Sequence, residues 1–342
     1  MSLNLDAAIS PEEVSVVICA YTEERWEALE AAVQSVKAQI APPLEIIVVC
    51  DHNPSLLNRI QANLSGVIAL KNNQSRGLSG ARNSGIEVAH GKVIAFLDDD
   101  AVAEQDWLVQ LCAGYANRLV MGVGGAILPV WTSGRPDWFP TEFDWVVGCT
   151  YRGMPSTTSR VRNLIGCNMS FRRECFDVAG GFRNDIGRVG TRPVGCEETE
   201  LCIRTTSHWP DKHFLYEPAA IVRHYVPHSR ANMRYFFSRC YYEGVSKAFV
   251  ASLVGAENGL ASERSYALRT LPVGIICGLF MALFDFDLAG LEQASAIVVG
   301  FFTTVLGYFT GAISYRKSIS NPGNDSLASQ PDPIPIICEN NL

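Results

Sequence analysis

Residues 93–100 read VIAFLDDD, an apolar run that ends in three consecutive aspartates. A continuous run of apolar residues such as Val93–Leu97 predicts a strand that is buried on both faces of a parallel sheet. Three carboxylates at the end of that strand repel one another unless a cation or several hydrogen-bond donors neutralise them. Carboxylate oxygens suit a hard divalent ion such as Mg²⁺ or Mn²⁺. The stretch therefore predicts a buried strand that leads to a ligand site, and a solvated acidic turn is the alternative.

The sequence before this stretch alternates between strand and helix patterns. Val14–Cys19 and Leu44–Cys50 are apolar runs rich in β-branched residues, and Trp26–Gln39 between them has apolar residues at helical spacing. Val67–Leu70 predicts a third strand and Ser79–Ala89 a second helix. This alternation predicts an open α/β sheet in which the carboxyl ends of the strands face one crevice, the usual place for a ligand.

A glycine-rich segment, NQSRGLSGARNSG at residues 73–85, comes shortly before the aspartates. Glycine lets the backbone approach a ligand closely, and Arg82 can pair with a diphosphate or with the aspartates. The segment lacks the GxxxxGKS or GxxxxGKT spacing of a P-loop, and its glycines do not follow the first strand, as a dinucleotide-binding fingerprint requires. Taken alone, the segment is weak evidence for a nucleotide site.

Four segments, taken in order, resemble the motifs of the family 2 glycosyltransferases of the GT-A fold. They are VSVVICAYTEE at Val14–Glu24, EIIVVCDHN at Glu45–Asn53, GLSGARNSGI at Gly77–Ile86 and VIAFLDDD at Val93–Asp100. The resemblance implies an α/β fold of the GT-A type, with an open mixed sheet flanked by helices. The chain departs from the family pattern at Cys19, where Thr or Pro is common, and at Cys50, which replaces the first of two acidic residues.

The resemblance also implies which residues hold a nucleotide sugar. Ala20 and Tyr21 would line the nucleotide base, Asp51 would accept a hydrogen bond from it, Asp98 would lie by the ribose, and Asp100 would coordinate Mg²⁺ or Mn²⁺. The nucleotide-sugar contacts that we expect are Ala20, Tyr21, Glu23, Asp51, Arg82, Asp98 and Asp99.

A second group of motifs concerns the acceptor and the general base. Leu164–Arg173 and Gly180–Phe182 resemble the family segment that closes over the donor sugar and shapes the acceptor site. GCEETELCIR at residues 195–204 resembles the family's acidic motif, whose second acidic residue is the general base, and Glu198 takes that place. A helix N-terminus that carries acids for its dipole is the alternative. The resemblance further implies acceptor contacts by Asn168, Glu197 and Glu200.

A histidine completes the expected metal site. Residues 219–222 predict a further strand, and in several members of the family a histidine after that strand joins the metal shell. His224 is the metal ligand that we expect, with His228 as the second choice. A structural histidine is the alternative.

The C-terminal part of the chain contains two long apolar segments. No charged residue lies between residues 293 and 315, and Ala294–Ile313 is long enough to span a bilayer. Thr270–Phe284 is shorter and would span only if Asp285 and Asp287 lay at the far interface. A helical hairpin with both ends in the cytoplasm satisfies the positive-inside rule. Two buried helices of a soluble domain are the alternative.

The segment Asn232–Phe249, before the apolar segments, mixes Arg234, Arg239 and Lys247 with aromatic residues. As a helix, this composition predicts an amphipathic segment on an anionic membrane surface, and a core-packed helix is the alternative. The chain lacks a clear QxxRW signature of processive polysaccharide synthases, and two apolar helices are too few for a translocation channel. These features favour the transfer of one sugar.

Composition narrows the class of protein further. Hydrophobic residues make up 48% of the 342-residue chain and charged residues 18%, which is slightly too apolar for a typical soluble enzyme. The net charge of -7 argues against nucleic-acid binding. The 11 cysteines include no CxxC pair, so we expect reduced core residues of a cytosolic protein and neither a zinc site nor a disulfide framework. The first 14 residues have no pattern of a secretory signal.

Together, the patterns predict five regions. Residues 1–125 and 126–228 form the nucleotide-sugar-binding and acceptor-binding halves of a GT-A domain, 229–268 amphipathic interfacial helices, 269–317 a membrane hairpin, and 318–342 a disordered tail. The predicted function is that of an inverting glycosyltransferase on the cytoplasmic side of the cell membrane. It would move one sugar from a nucleotide diphosphate sugar, with UDP favoured, to a hydroxyl of a lipid-linked or cell-envelope glycan. The alternatives are a polyprenyl-phosphate glycosyltransferase, whose anionic acceptor needs no base, and a non-catalytic nucleotide-sugar-binding membrane protein.

Overall fold

The computed structural model of the chain describes residues 9–185, 195–255 and 261–320. Within these residues the strands are β1 Val14–Ala20, β2 Glu45–Cys50, β3 Ile68–Lys71, β4 Val93–Asp98, β5 Ala101–Ala103, β6 Val120–Trp131, β7 Ser159–Val161, β8 Asn168–Arg172 and β9 His213–Val226. The helices are α1 Trp26–Lys37, α2 Pro54–Asn63, α3 Leu78–Val88, α4 Trp107–Ala113, α5 Arg173–Ala179, α6 Glu197–His208, α7 Met233–Val254, α8 Ala261–Ser265, α9 Leu271–Phe284 and α10 Leu288–Ser320.

The amino-terminal half of the sheet is parallel. β1 pairs with β2 on one side and with β4 on the other, and β3 extends the sheet beyond β2. Val16 and Ile18 belong to the core under α1, whereas Val17 packs on the opposite face with Ala81 of α3. Burial on both faces explains why these strands are continuous apolar runs. The strands and helices predicted here are confirmed, and their ends lie within two residues of the prediction.

β8 turns this parallel half into a mixed sheet. β8 runs antiparallel to β4 and β6, while β9 runs parallel to β6 and antiparallel to β5. The order is β3-β2-β1-β4-β8-β6-β9-β5, with β7 paired to β9. Gly125 lies where the register between β6 and β9 shifts, and a Cβ there would lie 1.9 Å from the carbonyl oxygen of Ala220. The predicted open mixed sheet is confirmed, and the strand predicted at residues 219–222 is part of the longer β9.

α7 lies between the α/β domain and α10, and it is not the amphipathic surface helix that we expected. None of its residues from Tyr235 to Ala251 is exposed. The guanidinium of Arg239 donates to the carbonyl oxygen of Val146 at 3.4 Å, and the Lys247 ammonium pairs with Glu263. The basic face turns inward because the α/β domain supplies a carbonyl partner and α8 supplies a carboxylate. Of the three basic residues only Arg234 is exposed.

α9 and α10 form the predicted apolar hairpin. Asp285 and Asp287 lie in its turn, the place that a spanning hairpin requires. By length and composition, Glu263–Phe284 and Leu288–Tyr315 are long and apolar enough to cross a membrane. Residues 318–320 continue α10, and the rest of the predicted disordered tail lies outside the described residues.

The described cysteines are free, as the sequence predicts. Most of them are buried, including Cys50, and the side chain of Cys19 is half-buried. Cys277 differs from the expectation, because it is exposed on α9. Its apolar surroundings in the sequence belong to a helix face that no described residue covers.

Candidate active site

The carboxyl ends of β1, β2 and β4 lie at one edge of the sheet, as parallel strands require. Tyr21, Asp51 and Asp98 therefore come together there. The Tyr21 side chain is 45% exposed, and Ala20 before it is buried. The guanidinium of Arg25 lies over the Tyr21 ring, 5.3 Å from its centroid. An exposed aromatic ring at this edge offers a surface on which a nucleotide base can stack.

Asp51 organises the loop at the start of α3. One oxygen of its carboxylate accepts a hydrogen bond from Nδ2 of Asn72 at 2.7 Å, and the other accepts from the backbone N–H of Gly77 at 3.0 Å. Gly77 has a φ of 125°, a conformation that favours glycine. Asp51 thus fixes the glycine-rich segment against β2. Glu23, the other acidic residue expected at this edge, is exposed and lies 4.0 Å from Arg59.

The three consecutive aspartates have different environments. The Asp98 side chain is 32% exposed and faces the crevice. Asp99 is buried, and its Oδ1 accepts from Arg25 at 2.9 Å, whereas its Oδ2 has no partner within the described part of the chain. Burial and the neighbouring charge of Asp100 raise the pKa of Asp99 to about 7. The expected contact between Asp99 and a nucleotide is therefore not supported by the structure, because its side chain points into the protein.

Asp100 is the centre of a buried charge cluster. Its carboxylate lies 3.1 Å from Nε2 of His224, 3.0 Å from Nη1 of Arg25 and 3.4 Å from Nη2 of Arg230. Burial alone would raise the pKa of Asp100, but the charges of His224, Arg25 and Arg230 outweigh it and hold the pKa well below its usual range. The β5–β9 pairing brings His224 here, because it sets Ala101 opposite His224.

The ligand atoms at this edge fit a divalent cation. A carboxylate oxygen of Asp98, Sγ of Cys167 and a ring nitrogen of His224 lie within 4.8 Å of one another, and Asp100 contacts the same imidazole. Cys167 offers a soft sulfur, which suits Mg²⁺ or Mn²⁺ less well than carboxylate oxygen does. The two carboxylates and the imidazole are left as the donor set. His228, the second choice, is exposed.

Arg82 connects this edge to the acidic motif. Its side chain is only 2% exposed, and its Nη1 donates to Glu197 at 2.7 Å while its Nη2 lies 3.6 Å from Asp98. Nη2 also donates to the carbonyl oxygen of Gly166 at 3.2 Å. The guanidinium thus joins β4, the segment before β8 and the N-terminus of α6. The contact with Asp98 matches one of the two partners that the sequence allows for Arg82, the aspartates, whereas its contact with a nucleotide sugar stays a prediction.

Glu198 lies at the first turn of α6, next to Glu197. Its side chain is half-buried. Burial and the charge of Glu197 raise the pKa of Glu198 to about 8. A carboxylate whose pKa lies near neutral pH can accept a proton effectively and release it again. A helix N-terminus by itself favours the ionised acid, so the rise in the pKa comes from burial and from Glu197.

Asn168 is a core residue, in place of the acceptor contact that we expected. It is completely buried. Its Oδ1 accepts from Nε1 of Trp107 at 2.8 Å, and its Nδ2 donates to the carbonyl oxygens of Ala126 and Ala220 at 3.0 and 2.8 Å. Both amide hydrogens are used within the protein, and complete burial keeps the side chain away from an acceptor. The amide therefore holds β6, β8 and β9 together.

Glu200 also has a structural partner in place of an acceptor. Its carboxylate accepts from Nε and Nη2 of Arg204 at 2.9 and 2.7 Å. The same guanidinium donates to the carbonyl oxygens of Ala179 and Gly181, and Gly181 packs against Asn83 of α3. The pair therefore holds the Gly180–Phe182 turn beside the glycine-rich segment.

Two arginines at the site were missed by the sequence reasoning. Arg25 lies five residues after β1, and Arg230 lies six residues after His224. Neither belongs to a motif that carries the resemblance, although Arg25 directly follows the first motif, Val14–Glu24. Their signal in the sequence is only their nearness to Tyr21 and His228, which does not reveal that both reach Asp100.

Comparison with known proteins identifies the family. The family model described as glycosyl transferase family 2 matches residues 15–179. A glucosyl-dolichyl phosphate glucuronosyltransferase of Haloferax volcanii is 34% identical over 300 residues, which cover 86% of this chain and 94% of that protein. The chain belongs to glycosyltransferase family 2. It is therefore a glycosyltransferase, as its motifs predict.

Two further matches characterise this glycosyltransferase. The UDP-Glc:alpha-D-GlcNAc-diphosphoundecaprenol beta-1,3-glucosyltransferase of Escherichia coli is 37% identical over 94 residues, 26% of this chain and 36% of that one. The solved structure of a mannosyltransferase of Pyrobaculum calidifontis, in complex with GDP-Man and Mn²⁺, superposes with a TM-score of 0.53 at 15% identity, covering 87% of this chain and 89% of that one. This likeness confirms the GT-A-type mixed α/β fold.

Proposed function

We propose that this glycosyltransferase transfers one sugar, with inversion, from a nucleotide diphosphate sugar to a hydroxyl of a lipid-linked glycan. The observation that carries the proposal is the Arg82 bridge. Arg82 contacts Asp98 of the aspartate motif and Glu197 of the acidic motif. The bridge brings the donor edge and the proposed base next to Glu197 close together, which supports a displacement between them.

The donor side consists of the parallel-strand edge. Tyr21 offers a face to the base, Asp51 lies beside it, and Asp98 faces the ribose. The E. coli relative is named for a UDP-sugar, which supports UDP as the favoured nucleotide. Arg25 and Arg230 add positive charge next to Asp100, where the diphosphate of such a donor carries negative charge.

Asp100 and His224 are the proposed ligands of Mg²⁺ or Mn²⁺, with Asp98 close by. A divalent ion held there supplies electrostatic stabilisation to the departing diphosphate. His224 is buried and fixed by β9, and Asp100 lies between β4 and β5, directly before β5. The protein therefore holds both side chains rigidly before any ligand binds.

Glu198 is the proposed general base. As the acceptor oxygen attacks the anomeric carbon, the Glu198 carboxylate accepts the hydroxyl proton and the bond to the diphosphate breaks. One displacement with one base gives inversion, whereas a retaining double displacement would need a second carboxylate as nucleophile on the opposite face. Glu197 does not compete for this role, because its oxygen is paired with Arg82 at 2.7 Å.

The acceptor is proposed from the relatives and from the hairpin. The Haloferax and E. coli relatives are named for acceptors in which a sugar is carried on dolichyl phosphate and on diphosphoundecaprenol. A sugar hydroxyl needs a base, which favours this acceptor over a bare polyprenyl phosphate. Two helices apolar enough to enter a membrane support an enzyme that works at the membrane, and the exposed Arg264 and Arg269 before α9 support the anionic cytoplasmic side.

The test is Glu198→Gln, with Glu174→Gln as the matched control at an exposed position of α5. We expect Glu198→Gln to bind the nucleotide sugar as the native chain does in calorimetry and to lose transfer to a lipid-linked sugar. The control should keep both properties. Unchanged transfer to a polyprenyl phosphate by Glu198→Gln would favour the base-free alternative. Nucleotide binding without any transfer by the native chain, with or without Mn²⁺, would favour a non-catalytic protein.

A further inference from the structure

The inner face of the α9–α10 hairpin is packed against the rest of the protein. Nε2 of Gln293 donates to the carbonyl oxygen of Asp137 at 2.7 Å. A Cβ on Gly300 would lie 2.7 Å from the Phe143 ring, and one on Gly307 would lie 2.0 Å from the carbonyl oxygen of Tyr241. The three contacts follow one another at intervals of seven residues. They hold α10 against the α/β domain and α7 over about four turns of helix.

The contact with α7 limits how α10 can enter a bilayer. α7 carries Arg239, Glu243 and Lys247 on the side that faces the α/β domain, and Lys247 lies 3.4 Å from Glu243 and 2.8 Å from Glu263. If residues 300–315 of α10 crossed the hydrocarbon layer, α7 and these charged groups would enter it as well. Charged side chains in the hydrocarbon core are expensive and rare.

The tip of the hairpin is too short to cross by itself. Phe286 in the turn is seven residues from Gln293, the first residue of α10 with a hydrogen bond to the α/β domain. Seven helical residues rise about 10 Å, whereas the hydrocarbon core is about 30 Å thick. Exposed carboxylates lie at the tip, from Asp285, Asp287 and Glu292. They would be costly at the depth that such a projection reaches, but not in the head-group layer.

Beyond the carboxylates at its tip, the outer face of the hairpin is apolar. On α10 the exposed apolar residues recur at helical spacing and include Leu291, Val298, Phe302, Leu306, Phe309 and Ile313. They extend over about 33 Å, and no charged residue lies between residues 293 and 315. α9 adds Val273, Ile276, Phe280 and Leu283. An exposed apolar surface of this extent indicates an interaction site.

We propose that the hairpin lies in the plane of one leaflet, with its outer apolar face among the acyl chains and its tip on the same side of the membrane as the active site. Lipid suits this surface because it is a long stripe, and Arg264 and Arg269 before α9 are exposed where anionic head groups would lie. The choice of lipid over a protein partner rests in part on the proposed lipid-linked acceptor. The orientation rests on the packing alone.

The first test compares two engineered labelling sites in the full-length chain. Asp287→Cys marks the tip and Asn63→Cys, exposed at the end of α2, marks the α/β domain. Both are made in a background with Cys277→Ser and Cys338→Ser, and the background alone gives the baseline. The protein is reconstituted in sealed vesicles of phosphatidylcholine and phosphatidylglycerol and treated with a membrane-impermeant maleimide before and after detergent. We expect the same labelled fraction at both sites before detergent.

The proposal would be overturned if the tip were protected in the molecules whose α/β domain is labelled. The labelled fractions of the two sites before detergent would then be complementary, and the hairpin would cross the membrane. Labelling reports position and not transfer, so Glu198→Gln should give the same fractions. Failure of this proposal is thereby separated from failure of the proposed function. Melting of each variant in detergent checks that the substitutions leave the fold intact.

A second test measures depth. Spin labels are placed by Leu291→Cys, Phe302→Cys and Ile313→Cys in the same background and vesicles. An in-plane helix predicts that all three labels lie at a similar depth, about 5–10 Å into the head-group and acyl boundary. A crossing helix predicts depths that differ along the helix by up to about 33 Å. Labels that remain in water, or that are shielded by a second copy of the chain without contact with lipid, would also overturn the proposal.

Discussion

The parallel half of the sheet and the α9–α10 hairpin are both made of apolar residues, but their side chains lie in opposite environments. In β1, Val16, Val17 and Ile18 are at most 1% exposed. In the hairpin, Phe280 and Phe302 are 56% and 63% exposed. The strand meets protein on both of its faces, whereas the hairpin meets protein on one face only. An apolar sequence therefore shows that a segment is removed from water. It does not show whether protein or lipid covers the segment.

Charge has the opposite distribution in the two regions. The sheet edge holds buried carboxylates and cations within ion-pair distance, around Asp100 and Arg82. The outer face of the hairpin has no charged residue between residues 293 and 315. Substitutions at the sheet edge should therefore change catalysis and stability strongly. In detergent, substitutions on the outer face of the hairpin should change neither catalysis nor stability.

The largest effect is expected from Asp100→Asn. It leaves His224, Arg25 and Arg230 without their shared carboxylate, and loss of one partner from a buried ion pair costs about 3–5 kcal/mol. Transfer should fall about 10²–10³-fold, the size seen when an electrostatic stabiliser of a transition state is lost. Initial rates and urea unfolding measure both effects. Asp211→Asn, at an exposed carboxylate, should behave as the native chain, and native rates in Asp100→Asn would contradict the proposed metal and diphosphate site.

The Arg82→Met substitution tests the bridge between the two motifs. It leaves Glu197 buried without its 2.7 Å partner, so the free energy of unfolding should fall by about 3–5 kcal/mol. Adding Glu197→Gln should recover part of that loss, because the fully buried carboxylate is then neutral and only the partly exposed Asp98 has lost a cation. Transfer should stay low. Urea unfolding of the single and double variants gives the comparison. Arg76→Met, at an exposed arginine of the same glycine-rich segment, is the control, and equal stability of Arg82→Met and this control would rule out the bridge.

The pH dependence should report Glu198. Its pKa is raised to about 8, so the transfer rate should rise about tenfold per pH unit below that value and level off above it. The folded state favours the protonated carboxyl, so its contribution to stability is present below the ordinary glutamate pKa and is lost as the pH rises through about 8. Glu198→Gln should flatten this loss in urea unfolding, while Glu174→Gln should keep it. A native rate profile that is flat between pH 6 and pH 8 would remove Glu198 as the base.

The smallest effect is expected on the outer face of the hairpin. Phe302→Ala should change the free energy of unfolding in detergent by less than about 0.5 kcal/mol, because the side chain is 63% exposed. Phe143 lies under the inner face of α10, where it is 1% exposed and packs against Gly300. Phe143→Ala should therefore lower the free energy of unfolding by about 3–5 kcal/mol. Thermal melting of both variants makes the comparison. A similar loss in both would mean that the outer face is covered by protein.

The sequence predicted the elements whose pattern is local. Continuous apolar runs predicted β1, β2 and β4, and the carboxyl ends of these parallel strands brought Tyr21 and Asp51 to the edge where Asp98 lies. The choice of His224 was also informative, because the histidine is beside Asp100. Its role as a metal ligand stays a prediction.

The predictions that failed concern which way a side chain points. Asn168, Glu200 and Asp99 lie in or beside the right motifs, but each is turned into the protein. Arg239 and Lys247 suggested a membrane surface, yet they pair inside the protein. Asn168, Asp99 and Arg239 are turned inward by partners more than 60 residues away, for which the local sequence carries no signal. Glu200 pairs with Arg204 only four residues on, but that guanidinium is in turn held by the carbonyl oxygens of Ala179 and Gly181.

The sequence by itself determined that the chain has a parallel α/β sheet, an acidic edge and an apolar C-terminal hairpin, because periodicity and runs of one residue type follow from backbone geometry. Only the tertiary structure decided that Arg25, Arg230 and His224 share Asp100, that Arg82 joins the two acidic motifs, and that one face of the hairpin is already occupied by protein. The physical reason is that ion pairs and packed faces form between segments far apart in the chain, and the free energy of each depends on all of its neighbours at once.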